Sequence, residues 1–246
     1  MVKGIILAGG TGSRLLPLTK VTNKHLLPVG RYPMIYHSIY KLKLAGITDQ
    51  LIVTGKEHMG SVVNLLGSGA DFGLKFTYKV QDQAGGIAEA LGLAEQFCRD
   101  DRMVVILGDN VFESDITSIV KRYEEQPKGA KILISKVEDP QRFGVPELNG
   151  DRIVRIEEKP QHPKSSYAVT GIYLYDSKVF DIVKNLVPSG RGEMEITDVN
   201  NAYIELGQLT YDVLPGWWSD AGTQDSYARA NLWAKDIDYS AFEARS

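Results

Sequence analysis

The run Gly4-Ile5-Ile6-Leu7-Ala8 leads straight into Gly9-Gly10-Thr11-Gly12, and three further apolar runs follow at 50–54, 103–107 and 131–135. Most are continuous rather than alternating, the pattern of strands buried on both faces. Helical spacing fills the gaps between them. Ile35, Ile39 and Leu42 mark one face of the stretch Met34–Leu44, with Gly46 placed to cap its end. Residues 87–97 and 116–123 repeat the theme. This rhythm predicts βαβ units and a three-layer α/β fold: a Rossmann-like, mostly parallel sheet with helices on both faces.

The pattern loosens after about residue 140. Val145–Leu148 and Ile153–Ile156 flank Asn149-Gly150, a strong hairpin signal. Residues 168–175 read as another strand and 224–234 as a closing helix. The expectation is one domain over 1–246. Its first half, about 1–140, faces one ligand, and about 141–246 adds antiparallel strands to the same sheet as a second lobe.

Composition narrows the function. With 28 Lys plus Arg against 31 Asp plus Glu, the net charge is −3, which gives no electrostatic footprint for nucleic acid or an anionic membrane. One cysteine forms no intramolecular disulfide, which points to a reducing compartment. No apolar run approaches the roughly 18 residues that span a bilayer. The N-terminal apolar stretch is shorter than a signal-peptide core. The expected location is the cytoplasm.

The loop Leu7, Ala8, Gly9, Gly10, Thr11, Gly12, Ser13, Arg14 follows the first strand, where open α/β sheets bind ligands. Its glycines let backbone N–H groups approach phosphate oxygens, and Arg14 adds a charged fork. Neither familiar phosphate loop fits: Leu15 stands where G-x-G-x-x-G needs glycine, and no G-x-x-x-x-G-K-[ST] string exists.

G-G-T-G-S-R-L-x-P-L-T, then Asn23-Lys24-His25-Leu26-Leu27-Pro28-Val29, resembles the sugar-1-phosphate nucleotidylyltransferases, most closely their glucose-1-phosphate thymidylyltransferase branch. The resemblance continues in order through Val80-Gln81, Leu107-Gly108-Asp109-Asn110, Arg142-Phe143-Gly144-Val145 and Glu157-Glu158-Lys159-Pro160. It runs on through Tyr167–Gly171, Arg191–Asp198 and Trp218–Thr223. It implies a nucleotide-diphospho-sugar transferase fold and Mg²⁺-dependent in-line attack of glucose 1-phosphate on the α-phosphorus of dTTP. The products would be dTDP-glucose and pyrophosphate, the entry to dTDP-rhamnose or related deoxysugars. A phosphate monoester, with a second pKa of about 6, is largely ionised at neutral pH and needs no general base. The demand is to bring two polyanions together in line.

The resemblance implies Arg14, Lys24 and Lys159 as catalytic cations. Leu7, Gly9, Gly10, Thr11, Gly12, Ser13, Arg14, Gln81, Gly86 and Asp109 would bind the nucleotide. Gly144, Glu158, Lys159, Val169 and Arg191 would bind the sugar phosphate, and Asp109 and Asp220 the Mg²⁺. Blander readings stand beside these: Asp109 as a turn residue, Lys24 as a solvated loop cation, Glu158-Lys159 as a surface pair, Arg191 as a loop cation beside Glu193. Asp220 could cap the last helix, though Thr223 is better placed. Trp217-Trp218 reads foremost as packing, with the edge of the sugar pocket as its other reading, and Cys98 as a small buried hydrophobe.

The departures from the family pattern are Asn23 and His25, where Ser and Gln are usual, and Asp82–Gly85, where a Pro-rich stretch is common. The Gln81 amide suits the imide edge of thymine and of uracil alike, so UTP stands as the alternative nucleotide. A non-catalytic nucleotide-sugar-binding regulator would have lost Arg14, Lys24, Asp109, Lys159 or Asp220; all five are present. Longer relatives extend past the position of Ser246 with a helical tail that serves a tetramer and a regulatory site. The expectation here is a homo-oligomer of unassigned order.

Overall fold

The computed structural model describes residues 2–240. Its centre is a seven-stranded sheet in the order Leu209–Val213, Ala130–Lys136, Tyr167–Tyr175, Arg102–Leu107, Val2–Ala8, Asp49–Gly55, Lys75–Gln81. All neighbours are parallel except Tyr167–Tyr175, which runs against both its partners.

Alternation along each strand divides the core into two layers. Ile6, Ile52, Val104 and Ile106 point to the face covered by Ile35, Ile39, Val62, Ile119 and Val120. Ile5, Leu7, Val53, Met103 and Val105 point to the other, against Ala88, Leu91, Val179, Val183, Val199 and Tyr203. The three-layer architecture is thus the predicted one. Helix Met34–Leu44 has the predicted bounds, and Ile47 N–H and Gly46 N–H close its end on Leu42 and Lys43 carbonyls.

Two expectations are corrected. The stretch 87–97 is not one helix but Ile87–Gly92 followed by a single turn, Glu95–Cys98. Gly92 weakens the helix locally, and its bare Cα lets Val183 pack close. The hairpin Gly144–Asn149 with Arg152–Glu158 does form, turning through Gly150 and Asp151, but as a separate two-stranded sheet. Of the antiparallel strands expected in the second half, only Tyr167–Tyr175 enters the main sheet. The hairpin is instead held from the side by helix Ile196–Glu205, where Asn201 bonds both backbone groups of Ile156. Among the described residues no helix is long and apolar enough to cross a membrane. Cys98 is a buried free thiol that burial pushes up to about 12, so it is inert.

Candidate active site

Strands Val2–Ala8, Lys75–Gln81 and Arg102–Leu107 end on the same side of the sheet, and a cleft of about 360 Å³ opens there. Its floor and walls include Leu7, Gly9, Gly10, Arg14, Lys24, Gln81, Gly86 and Asp109 from the first half. Gly144, Glu158, Lys159, Val169, Arg191 and Asp220 come from the second. Thr11, Gly12 and Ser13 do not line it; Thr11 borders a smaller adjoining cavity with Lys56 and His58. Gly12 instead anchors the loop, its carbonyl accepting from the Thr19 hydroxyl.

Lys24 lies in a one-turn helix capped by Asn23, and its ammonium sits on Asp109 Oδ2. Burial alone would raise the Asp109 carboxyl. Lys24, His25 and the hydrogen bonds from Lys24 and Asn110 override it and hold the carboxyl below its usual range. The two departures at 23 and 25 answer each other. Asn23 Oδ1 accepts from the His25 backbone N–H at 2.8 Å and pairs with its Nδ1 at 2.7 Å. Burial, with Lys24 adding to it against Asp109, pushes the His25 imidazole down to about 3, so it is neutral at neutral pH.

Asn110, 2% exposed, ties the site together. Its Oδ1 accepts from Gly171 N–H at 2.8 Å and from Trp218 Nε1 at 2.6 Å, while Nδ2 donates to Asp109 Oδ1 at 3.0 Å. Trp218 meets Phe143 edge-on, with centroids 5.2 Å apart, so it forms a cleft wall, whereas Trp217 packs on Trp233. Arg142 spans Asp139 at 2.8 Å and Asp220 at 3.2 Å. Thr223, not Asp220, caps the last helix, in a reciprocal box with Ser226.

On the far wall, Thr197 donates to Glu158 Oε2 at 2.6 Å, and Lys159 Nζ lies 3.5 Å from Oε1. Arg191 makes a two-pronged pair with Glu195, both at 2.8 Å. Lys159 and Ala221 hold positive φ of 47° and 38°, so both segments carrying cleft residues keep backbone conformations that L side chains rarely adopt.

Among the described residues no group of three or more His, Cys, Asp or Glu could hold a metal. Asp109 and Asp220 supply hard oxygen donors from two sides. Beside them Gly222 is closely packed: a Cβ there would stand 3.2 Å from Arg14 Nη2 and 3.5 Å from Asp109 Oδ2, so a side chain would crowd both. Two carboxylates lining one cleft suit Mg²⁺, which takes its remaining ligands from water and phosphate.

Sequence reasoning passed over Asn110, Arg142 and Thr197 as individual actors and put packing first for Trp218, although all four stand inside the motif blocks.

A cleft where cations, most of them set against a carboxylate, face bare glycine backbone at the strand ends defines a phosphate-handling α/β protein. The chain belongs to the nucleotidyl transferase family, whose pattern matches residues 3–236. A glucose-1-phosphate thymidylyltransferase of Neisseria meningitidis is 46% identical over 240 residues, covering 96% of this chain and 83% of its own. A Bacillus anthracis crystal structure, described as a glucose-1-phosphate thymidylyltransferase with bound sucrose, is 64% identical. It superposes with a TM-score of 0.95 and covers 98% of each chain. An apo UDP-glucose pyrophosphorylase, at 24% identity and a TM-score of 0.84, shares the fold.

Proposed function

We propose that this chain transfers a deoxythymidylyl group from dTTP to glucose 1-phosphate, giving dTDP-glucose and pyrophosphate. The observation that carries the reading is that Arg14, Lys24, Asp109, Lys159 and Asp220 border one cavity, as a reaction between two polyanions requires. The first half of the chain takes the triphosphate and the second the sugar phosphate.

The phosphate dianion of the sugar is the nucleophile. The one cleft histidine, His25, is buried and neutral, with Nδ1 committed to Asn23. No base is needed, and the residues act by placement and charge. Gly9 and Gly10 let the triphosphate lie against the backbone. Arg14, the cleft cation with no ion pair among the described residues, is free for the departing pyrophosphate. Lys24, paired with Asp109 on the cleft lining, meets the triphosphate, and Lys159 meets the sugar phosphate. Glu158, aimed by Thr197, accepts from sugar hydroxyls, so an epimer lacking that donor leaves it unpaired. Asp109 and Asp220 would hold Mg²⁺, which when bound neutralises charge on the phosphate oxygens. Lys24 and Arg142 balance those two carboxylates in this structure.

A cytoplasmic, homo-oligomeric enzyme opening a deoxysugar route such as that to dTDP-rhamnose accords with this reading. The test is pyrophosphate release from dTTP, UTP, dCTP and ATP, each against several hexose 1-phosphates, with and without chelator. Turnover of dTTP with glucose 1-phosphate, abolished by chelator and restored by Mg²⁺, is expected. A preference for UTP above about tenfold, 1.4 kcal/mol, would transfer the reading to a uridylyltransferase. Release with no pair would end it.

A further inference from the structure

Gln81 closes its strand at the cleft edge, the residue 7% exposed. An amide can be placed either way round, and its partners decide which end is which. Here they decide it without ambiguity. One end of the amide lies 2.6 Å from Glu89 Oε2 and 3.3 Å from the Gly86 carbonyl. Both are acceptors only, so that end is the NH₂. The opposite end, Oε1, faces Gly9, where a Cβ would come within 2.7 Å of it. Among the described residues nothing donates to Oε1.

Glu89 is itself held. Gly85 N–H donates to the same Oε2 at 3.0 Å, and any side chain at Gly85 would strike that carboxylate. The turn is stitched in place by Met194 N–H to the Gly85 carbonyl and Ala88 N–H to the Met194 carbonyl. Nothing in the sequence pattern marks Glu89, which stands in helix Ile87–Gly92 three residues past Gly86.

We propose that Glu89 is a positioning residue that locks the Gln81 carboxamide with only its oxygen toward the base, so that the pocket selects pyrimidines carrying N3–H and refuses cytosine. This deepens the function proposed above and rests on it. Thymine and uracil present a donor at N3, which Oε1 accepts. Cytosine presents a lone pair there, and the two acceptors repel. Without Glu89 only the longer Gly86 contact restrains the amide. It can then turn over and offer its NH₂ to cytosine N3. The lock is indifferent to the 5-methyl group, so it separates both dTTP and UTP from dCTP and does not separate them from each other.

The test measures kcat/KM for dTTP and dCTP, with glucose 1-phosphate and Mg²⁺, on the wild-type chain, Glu89→Met and Glu89→Gln. Met keeps the length and removes the acceptor. Gln restores one oxygen, and one is sufficient because both donors use Oε2. The dTTP-to-dCTP ratio should fall by about tenfold or more in Glu89→Met, the scale of one misplaced hydrogen bond. It should stay within about threefold of wild type in Glu89→Gln. An unchanged ratio in Glu89→Met, or an equal loss on both nucleotides, overturns the lock. So does a Glu89→Gln ratio that falls with it. A wild-type chain that uses dTTP and dCTP equally overturns the lock while the transfer reaction stands. A wild-type chain that turns over no pyrimidine triphosphate overturns both.

Discussion

Lys24 Nζ rests on Asp109 Oδ2, each side chain 13% exposed, although 85 residues separate them. The pair joins the end of one strand to the loop after another and sets a full positive and a full negative charge where the proposed reaction needs both. Asp109→Asn removes the negative member. Turnover should drop by about 100-fold or more, the cost of losing one preorganised charge in a closed site. Stability should fall by about 3 kcal/mol because Lys24 is left part-buried without its partner. Steady-state kinetics at saturating Mg²⁺, with urea unfolding, check both. Near-normal turnover would remove Asp109 from the chemistry.

Asn110 spends its side chain on three partners, and Gly171 is the position that tests it. A Cβ on Gly171 would stand 2.5 to 2.7 Å from the Asn110 carboxamide atoms. Gly171→Ala therefore pushes Asn110 off Trp218 and Asp109 at once. The expected cost is about 3 kcal/mol from the clash and the orphaned indole N–H, read as a lower urea midpoint at unchanged m-value. Turnover should fall with it.

What the sequence made legible follows from burial. The runs at 4–8, 50–54, 103–107 and 131–135 are interior strands, covered on both faces and paired on both edges, so they are continuously apolar. Lys75–Gln81 and Leu209–Val213 are the two edge strands. They keep an exposed Thr210 and partly exposed Thr77, Lys79 and Asp212, and no apolar run betrays them. The cleft divides in the same way. Gly9, Gly10, Arg14 and Asp109 stand in short motifs whose local geometry explains them. Arg142 meets Asp220 across 78 residues and Trp218 meets Asn110 across 108. Only the folded chain brings such pairs together.

Thr197 offers a milder probe of the sugar side. Its hydroxyl donates to Glu158 Oε2 at 2.6 Å, and it reaches Glu158 from helix Ile196–Glu205, which packs against the hairpin. Thr197→Val keeps shape and volume while releasing the carboxylate. The apparent KM for glucose 1-phosphate should rise by about tenfold, the worth of a hydrogen bond to a charged group. The KM for dTTP should move far less. Equal shifts in both would mean that Glu158 does not read the sugar.

His37 gives the pH dependence its sign. It lies in helix Met34–Leu44, 1% exposed, with Nε2 3.0 Å from the Val29 carbonyl and Nδ1 3.2 Å from the Tyr239 hydroxyl. Nε2–H therefore donates to Val29, and Nδ1 accepts from Tyr239. Burial pushes the imidazole down to about 4; the Val29 carbonyl opposes this and Lys41 adds to it. In the unfolded chain the same ring titrates near 6.5. Between those values the unfolded state holds a proton that the folded state refuses, so stability rises with pH. Acidification from pH 6.5 to 4 should therefore withdraw stability at about 1.4 kcal/mol per pH unit from this residue alone. His37→Gln can donate through its amide N–H to the Val29 carbonyl but cannot take up the proton. Urea unfolding of both proteins at intervals across that window is the check. The wild-type curve should be the steeper by about one proton, and parallel curves would show that His37 does not govern the acid limb.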